Sequence, residues 1–208
     1  MIELLNTDCM EYMKGLEDNA FDLAIVDPPY GINVNVSMGR RKGQKHSGHH
    51  KFAGGDIEPP NADYFKELRR VSKNQIIWGA NHFISKMPQP ADSPCWVMWD
   101  KGFSDEVTFA QFEMAWTSFS STCKKFDKSP NDPSRIHPTQ KPVKLYEWLL
   151  SNYAKEGDRI LDTHGGSMSS MIACHYGGFD AVCCELDKDY FEAGKLRFEK
   201  ETSQLAMF

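Results

Sequence analysis

The sequence has no apolar run long enough to span a membrane, and its start, Met1 to Asn6, lacks the features of a signal peptide. We therefore expect a cytoplasmic protein with no membrane partner. None of the six cysteines forms a C-x-x-C pair, so neither a zinc site nor a disulfide framework is predicted. A net charge of −5 argues weakly against a nucleic-acid partner.

Short apolar runs with branched residues predict strands at 3–5, 21–26, 75–78, 95–99, 107–116, 159–162 and 180–185. Helical periodicity predicts helices at 61–71, 142–153, 169–176 and 187–199, and a short helix at 8–16 capped by Asn6 or Thr7. This alternation favours one α/β domain over 1–208, in which 95–99 and 107–116 pair as an antiparallel hairpin. Segments 31–60 and 118–138 lack a sustained period, and we expect irregular structure there.

Positive charge is concentrated in these two irregular segments. The first is a basic loop within about 31–60 that contains no acid between Met38 and Ala53, and its basic residues are Arg40, Arg41, Lys42, Lys45 and Lys51. The second contains Lys124, Lys125 and Arg135. Because a basic loop on an acidic body can meet a phosphate backbone, both segments are candidate DNA contacts, the first before the second. The histidines of the first loop have no acid or cysteine nearby, so no metal site is predicted.

The segment Asp27-Pro28-Pro29-Tyr30 follows the apolar run 21–26, where a buried parallel strand would leave the sheet. Open α/β sheets bind their ligands at that edge. Two prolines remove two N–H donors and leave a stiff arm with bare carbonyls, a carboxylate and an aromatic ring. Such an arm suits a flat, amino-bearing ring, although an ordinary strand-ending turn has the same composition.

A second candidate site consists of a strand ending in Asp162, a turn with Gly165-Gly166, a helix, and a strand ending in Glu185. Glycines let the backbone approach a ligand, and an acid after the second strand can accept both ribose hydroxyls. The turn is not G-x-G-x-x-G, so a dinucleotide pyrophosphate fits poorly. S-adenosylmethionine fits better, because its cationic groups favour an acidic neighbour such as Asp162. Plain packing of a glycine turn is the alternative.

Three segments taken together resemble the DNA amino-methyltransferases, namely Asp27-Pro28-Pro29-Tyr30, His137-Pro138-Thr139-Gln140-Lys141-Pro142 and Leu161-Asp162-Thr163-His164-Gly165-Gly166-Ser167. Their order is similar to the permuted branch of phage and prophage adenine-N6 enzymes. The resemblance implies a circularly permuted, Rossmann-like S-adenosylmethionine-dependent methyltransferase sheet, mostly parallel with an antiparallel edge hairpin. Strand 3–5 would then neighbour strand 181–185 and complete the cofactor half.

The resemblance also implies residue roles. The catalytic residues would be Asp27, Pro28, Pro29 and Tyr30. Asp8 would meet the cofactor's adenine and Glu185 its ribose, while Asp162 together with the segment from His137 to Lys141 would meet its methionine portion. The full implied cofactor set is Asp8, His137, Thr139, Gln140, Lys141, Asp162, Thr163, His164, Gly165, Gly166, Ser167 and Glu185.

The glycine turn departs from the family pattern, which has Pro-Phe after the acid and another glycine after Ser. Here Thr163-His164 and Met168 stand in those places, and Met168 adds a side chain where backbone closeness is usual. The segment 118–136 occupies the place of the family's target-recognition insert and is short. We therefore expect a brief recognition sequence, or one read partly by the first loop or by a second subunit of a homodimer.

The implied reaction is methyl transfer from S-adenosylmethionine to the N6 amine of adenine in double-stranded DNA, after base flipping. Asp27 and the Pro28 carbonyl would accept the amine hydrogens, while Tyr30 would stack on the ring. Cytosine-N4 methylation is the nearest alternative, but in enzymes with that activity serine commonly replaces the acid at the position of Asp27. Methylation of protein glutamine is a second alternative, and it usually accompanies asparagine at this position. A non-catalytic module that binds DNA or S-adenosylmethionine is a third alternative, suggested by His164 and Met168.

Overall fold

The computed structural model describes residues 1–32, 56, 58–104, 110–132, 135–137 and 139–203. Eight strands in this part of the chain form one sheet. They are β1 (Ile2–Leu5), β2 (Phe21–Val26), β3 (Ser72–Trp78), β4 (Trp96–Asp100), β5 (Phe112–Thr117), β6 (Lys124–Asp127), β7 (Arg159–Asp162) and β8 (Asp180–Cys184).

Five α-helices cover the two faces of this sheet over the described residues. They are α1 (Cys9–Lys14), α2 (Ala62–Val71), α3 (Val143–Tyr153), α4 (Ser169–Gly177) and α5 (Lys188–Ser203). Two 3-10 turns, Ala80–His82 and Ile84–Lys86, follow β3. Among the described helices, none is both long and apolar enough to cross a lipid bilayer.

The sheet has the order β1-β8-β7-β2-β3-β5-β4-β6. Only β5 among these strands pairs antiparallel with its neighbours, β3 and β4, and the other pairs are parallel. The mostly parallel sheet with an antiparallel hairpin is therefore confirmed, but the hairpin does not form the edge of the sheet, because β6 pairs on the outer side of β4. The first strand, β1, pairs with β8 in the register Leu4 to Cys183, so the N-terminal strand completes the cofactor half, as the permuted order implied.

The expectation of irregular structure throughout segment 118–138 was wrong, because this segment contains the strand β6 on the outer side of β4. Its sequence, Lys-Lys-Phe-Asp, is short and charged and carries no strand pattern. Charged residues are common on edge strands because they discourage pairing with other chains. The hydrogen bonds to β4 therefore form this strand, and the local sequence does not reveal it.

The first helix has a different cap from the predicted Asn6 or Thr7. Asp8 is the N-cap, and its Oδ1 accepts from the backbone N–H of Met10 at 2.7 Å and Glu11 at 3.4 Å. By contrast, α2 begins as predicted, since Asn61 caps it by accepting from the Tyr64 N–H at 3.0 Å. Predicted and observed bounds of the longer helices agree to within a few residues.

Alternate residues of the central strand β2 face opposite layers of the core. Leu23 and Ile25 pack in the layer that contains α3, α4 and part of α5. Ala24 and Val26 pack in the layer that contains α1 and α2. Because both faces of β2 are covered, the sequence of this strand is mostly apolar. Asp27 follows β2 at the carboxyl edge of the sheet.

Candidate active site

Asp27 follows the last residue of β2, and its carboxylate is held from two sides. Lys141 Nζ donates to Asp27 Oδ2 at 2.6 Å, and the Tyr30 hydroxyl donates to Asp27 Oδ1 at 2.7 Å. The side chain of Asp27 is only 16% exposed. The predicted catalytic arm therefore has its acid and its aromatic ring joined by a hydrogen bond, with Lys141 beside them.

Lys141 lies with the catalytic arm, although the resemblance implied a place on the methionine portion of the cofactor. Its ammonium group is buried, and it also contacts Glu113 Oε2 at 2.9 Å. It lies over the Trp78 ring, 5.2 Å from the centroid. The segment His137 to Lys141 thus spans both halves of the site, with Lys141 at the catalytic end.

Two residues of this cluster, Glu113 and Lys101, were not found from the sequence. Glu113 lies in β5, and its Oε1 pairs with Lys101 Nζ at 2.6 Å. Its Oε2 accepts from the Tyr30 hydroxyl at 3.2 Å. The sequence could have indicated Glu113, because it is a lone acid within the apolar run Phe112 to Trp116 and charged residues are rarely buried unless they are paired.

Burial and ion pairing have opposite effects on the pKa values of Asp27 and Glu113. Burial raises the pKa of Asp27 above its ordinary value, and the Lys141 ammonium opposes that effect. Burial would also raise the pKa of Glu113, but Lys141 and Lys101 together outweigh it and lower that pKa to about 2. Glu113 is therefore ionised over the whole physiological range, and Asp27 is the easier of the two to protonate.

Tyr30 is packed closely against the turn that follows β3. Gly79 has a φ of 70°, and a Cβ on it would overlap the Tyr30 ring, so glycine is required there for two reasons. The exposed His82 ring stacks on Tyr30 with centroids 5.4 Å apart and planes 17° apart. The backbone N–H of Tyr30 donates to Asp56 Oδ1 at 2.6 Å, which holds the arm from its other end.

The predicted cofactor half converges at the same edge of the sheet, around Glu185. Glu185 Oε2 accepts from the Gly166 N–H at 2.7 Å, and Oε1 accepts from the Asp187 N–H at 2.9 Å. Asn6 Nδ2 donates to the Glu185 carbonyl at 2.8 Å and ties β1 to this corner. Leu186, which sequence reasoning did not single out, is 64% exposed beside it and offers apolar surface.

Asp162 is buried at the end of β7, and its carboxylate accepts from two neutral donors. The His164 N–H donates to Oδ1 at 3.0 Å, and the Ser170 hydroxyl donates to Oδ2. Burial raises the pKa of Asp162 to about 7. A buried acid held by neutral donors suits a cationic ligand, because a cation would stabilise its ionised form.

Thr163 and His164, which replace the family's Pro-Phe, form a hydrogen-bonded cluster with Tyr64. Thr163 Oγ1 lies 2.6 Å from the Tyr64 hydroxyl and 2.9 Å from His164 Nδ1. The His164 ring packs edge-on against Tyr64, 5.5 Å between centroids. Burial lowers the pKa of His164 to about 4, so at neutral pH it is an uncharged aromatic side chain in the place of phenylalanine.

Met168 has the backbone conformation for which glycine is usual, with a φ of 59°. Its side chain is fully buried, and its sulfur lies 3.3 Å from Cys183 Sγ. A Cβ on Gly165 or on Gly194 would meet Met168 atoms at about 3 Å, so two glycines make room for it. The Met168 side chain therefore packs into the core, and the departure from the family pattern does not fill the outer side of the turn.

The remaining residues of the His137 segment lie beside the cofactor half. A Cβ on Gly166 would lie 3.8 Å from the His137 ring, which packs against Tyr190 with centroids 4.4 Å apart. Burial lowers the pKa of His137 to about 4. Thr139 is exposed, while Gln140 is buried and its Oε1 accepts from the Ile136 N–H at 3.1 Å. Ser167 is also buried within the turn.

The candidate DNA contacts are placed only in part. Arg40, Arg41, Lys42, Lys45 and Lys51 lie outside the described residues. Lys124 begins β6, at the opposite end of that strand from the site, and donates to Asn152 Oδ1 at 2.7 Å. Lys125 pairs with Asp100 at 3.0 Å and Asp127 at 2.8 Å. Arg135 donates to the Pro130 carbonyl at 2.7 Å.

Comparison with known proteins gives several matches. The profile of the DNA methylase family, which groups N6 and N4 enzymes, matches residues 77–196. The Type II methyltransferase M.HpaI of Haemophilus parainfluenzae is 24% identical over 242 aligned residues, covering 95% of this chain and 74% of that protein. The M1.HpyAVI–SAM complex has a TM-score of 0.63 at 18% identity, over 95% of this chain and 98% of that one. The cytosine-N4-specific PvuII DNA methyltransferase has a TM-score of 0.64 at 12% identity, over 97% and 90%.

The two solved structures share the fold of this chain, which is that of S-adenosylmethionine-dependent DNA methyltransferases. The family profile covers more than half of the sequence, from the end of β3 into α5. It therefore includes Glu113, Lys141, Asp162 and Glu185, while Asp27 precedes it. The chain belongs to the DNA methylase family, whose members use S-adenosylmethionine as the methyl donor.

Proposed function

We propose that this chain transfers a methyl group from S-adenosylmethionine to the exocyclic N6 amine of adenine in DNA. The proposal rests on the carboxylate of Asp27, which follows β2 and precedes Pro28 at the edge of the sheet where the predicted cofactor residues also meet. A carboxylate is the stronger acceptor for an amine that becomes positively charged. Serine, the residue common in cytosine-N4 enzymes, is absent from this position.

The residues at the cofactor end fit S-adenosylmethionine. Each oxygen of Glu185 accepts one backbone N–H and keeps a further lone pair for a ribose hydroxyl. Asp162 offers a buried carboxylate for a cation, and Leu186 offers apolar surface for an adenine ring. Asp8 stands nearby at the start of α1. When bound, the cofactor supplies an electrophilic methyl group on a sulfonium.

In the proposed mechanism Asp27 and the Pro28 carbonyl accept the two amine hydrogens. This makes the nitrogen more tetrahedral and directs its lone pair at the methyl group. Positive charge develops on the nitrogen as the new C–N bond forms, and a preorganised carboxylate stabilises that charge more in the transition state than in the ground state. The raised pKa of Asp27 also equips it to take up the surplus proton.

Adenine in a duplex hides its amine in the base stack, so the target base must be flipped out at a cost of a few kcal/mol. We propose that Tyr30 and His82 form the stacking platform for the flipped base. Their rings are already parallel, and the hydroxyl of Tyr30 keeps its ring beside Asp27. We further propose that the recognised site is short, and a homodimer is consistent with reading part of it from a second subunit.

The test is expression in a host without DNA methylation, followed by nucleoside analysis of the modified DNA. We expect N6-methyladenine from the wild type and none from Asp27→Ala. The variant should still bind S-adenosylmethionine in calorimetry, because the acid lies outside the proposed cofactor contacts. Asp63→Ala, which removes an exposed acid of α2, is the matched control with wild-type activity.

Three results would contradict the proposal or parts of it. N4-methylcytosine as the sole product would make the enzyme a cytosine methyltransferase. Near-normal methylation by Asp27→Ala would remove that carboxylate from the mechanism. Cofactor binding by the wild type without methyl transfer to any unmodified DNA would favour a binding module.

A further inference from the structure

Asp27 shares both of its donors with a second carboxylate, that of Glu113. The Lys141 ammonium lies 2.6 Å from Asp27 Oδ2 and 2.9 Å from Glu113 Oε2. The Tyr30 hydroxyl lies 2.7 Å from Asp27 Oδ1 and 3.2 Å from Glu113 Oε2. Each donor is therefore nearer to Asp27 but already within reach of Glu113.

Glu113 is anchored independently of Asp27. Lys101, which follows β4, pairs with Glu113 Oε1 at 2.6 Å, and its backbone N–H donates to the Gln111 carbonyl at 2.9 Å. The β4–β5 hairpin thus holds Glu113 and Lys101 together across adjacent strands. Because Lys101 secures one oxygen, the other oxygen stays directed at Lys141 and Tyr30.

The charges in this cluster balance, with two carboxylates and two ammonium groups. That balance matters for the proposed reaction, because Lys141 alone would oppose the positive charge that develops on the target amine. A carboxylate 2.9 Å from the ammonium offsets its field at the amine. It also offers an acceptor to Lys141 and Tyr30 when the amine hydrogens occupy Asp27.

We propose that Glu113 is a positioning residue that takes over the hydrogen bonds of Lys141 and Tyr30 when the target amine engages Asp27. The proposal rests on the proposed function, since it assigns Asp27 to the amine. Glu113 then acts through the other two side chains and does not touch the substrate. Lys101 supports it by holding its second oxygen.

The test is Glu113→Gln, which keeps the shape and removes the charge. We expect kcat to fall about 10- to 100-fold, as for the loss of one charged hydrogen bond, with the Kd for S-adenosylmethionine little changed. Glu147→Gln breaks the exposed pair with Lys144 on α3 and should leave both quantities unchanged.

A second readout does not need activity, namely the pKa of Asp27 followed by carboxyl carbon NMR and assigned with Asp27→Asn. The groups that face Asp27 are Lys141, Tyr30 and Glu113, with Asp162 and Tyr146 farther away. Glu113 raises the pKa of Asp27, so Glu113→Gln should lower it. Lys101→Met leaves the charge of Glu113 less compensated, so this variant should raise it.

The outcomes separate this proposal from the proposed function. Wild-type kcat in Glu113→Gln, or a loss of kcat without a fall in the pKa of Asp27, would overturn the role of Glu113. If Glu113→Gln does not fold, Lys101→Met decides, and an unchanged or lowered pKa of Asp27 overturns the proposal. A wild-type enzyme that methylates no adenine overturns the proposed function instead, whatever the NMR result.

Discussion

Asp162 is the buried acid whose charge responds to pH near neutrality, with a pKa raised to about 7 by burial. A cationic ligand favours the ionised form of this carboxylate. Since binding then shifts the acid from protonated to ionised, affinity rises as the pH passes upward through the pKa of the free protein. This pH dependence of cofactor affinity arises from Asp162 alone and does not depend on the target base.

We expect the Kd for S-adenosylmethionine to be roughly tenfold higher at pH 6 than at pH 8, because Asp162 is largely protonated at the lower pH. Isothermal titration calorimetry over this range measures it. Asp162→Asn is the control, since it cannot ionise, and its profile isolates the titration of the cofactor's own amino group. Parallel profiles for the two proteins would show that Asp162 does not sense the cofactor.

In the turn from β7 to α4, the backbone conformation of Met168 lowers the stability of the fold and the packing of its side chain raises it. A non-glycine residue with a φ of 59° is strained by about 1–2 kcal/mol. Truncating a buried methionine costs about 2–5 kcal/mol, because a cavity is left. The packing of Met168 in the core therefore outweighs the strain that the backbone stores.

We expect Met168→Gly to lower the free energy of unfolding by about 2 kcal/mol, the difference between the midpoints of the packing that is removed and the strain that is relieved. Met168→Leu conserves volume and should cost less than about 1.5 kcal/mol. Urea unfolding of the three proteins measures both values, and calorimetry should show little change in cofactor affinity. A Met168→Gly protein more stable than the wild type would mean that strain dominates at this position.

At the scale of the whole molecule, charge is distributed unevenly on an acidic chain with a net charge of −5. Lys124 and Lys125 are engaged with Asn152 and with two carboxylates. The basic loop with Arg40, Arg41 and Lys42 lies outside the described residues, and we propose it as the main phosphate-binding segment. Each phosphate that a basic side chain neutralises contributes about 0.9 to the slope of log K against log salt concentration.

We expect the replacement of Arg40, Arg41 and Lys42 by glutamine to reduce that slope by about 0.9 for each phosphate that is no longer neutralised. Fluorescence anisotropy with a DNA duplex over a range of salt concentrations measures the slope. The matched control neutralises Lys124 and Lys125, which are already bonded within the protein, and should change the slope less. An unchanged slope in the first variant would remove the loop from the interface.

The sheet also couples the two ends of the chain at this scale. Asn6 and Glu185 are 179 residues apart in sequence, yet the Asn6 side chain holds the Glu185 carbonyl. The Thr7 N–H donates to the same carbonyl at 3.2 Å, and the Glu185 N–H donates to the Leu5 carbonyl at 2.9 Å. The N-terminal strand therefore positions the acid proposed for the ribose.

The sequence by itself determined the elements whose signals are local. The apolar run before Asp27 predicted β2, the periodicity of 61–71 predicted α2, and the order of three motifs along the chain predicted the family and the place of β1. The first two of these signals are local, because helical periodicity and apolar strand patterns act within a few residues.

Only the tertiary structure decided which side chains meet across the sheet. Lys141 contacts Asp27, which its predicted cofactor role did not indicate, and Glu113 and Lys101 enter the site from a hairpin whose sequence indicated only strands. The charged strand β6 likewise exists because β4 supplies its hydrogen bonds. Met168 was decided in the same way, since its side chain packs beneath the turn only because Gly165 and Gly194 leave room. For Lys141 and Met168 a contacting partner, Asp27 or Gly194, lies far away in sequence, where no local pattern indicates it.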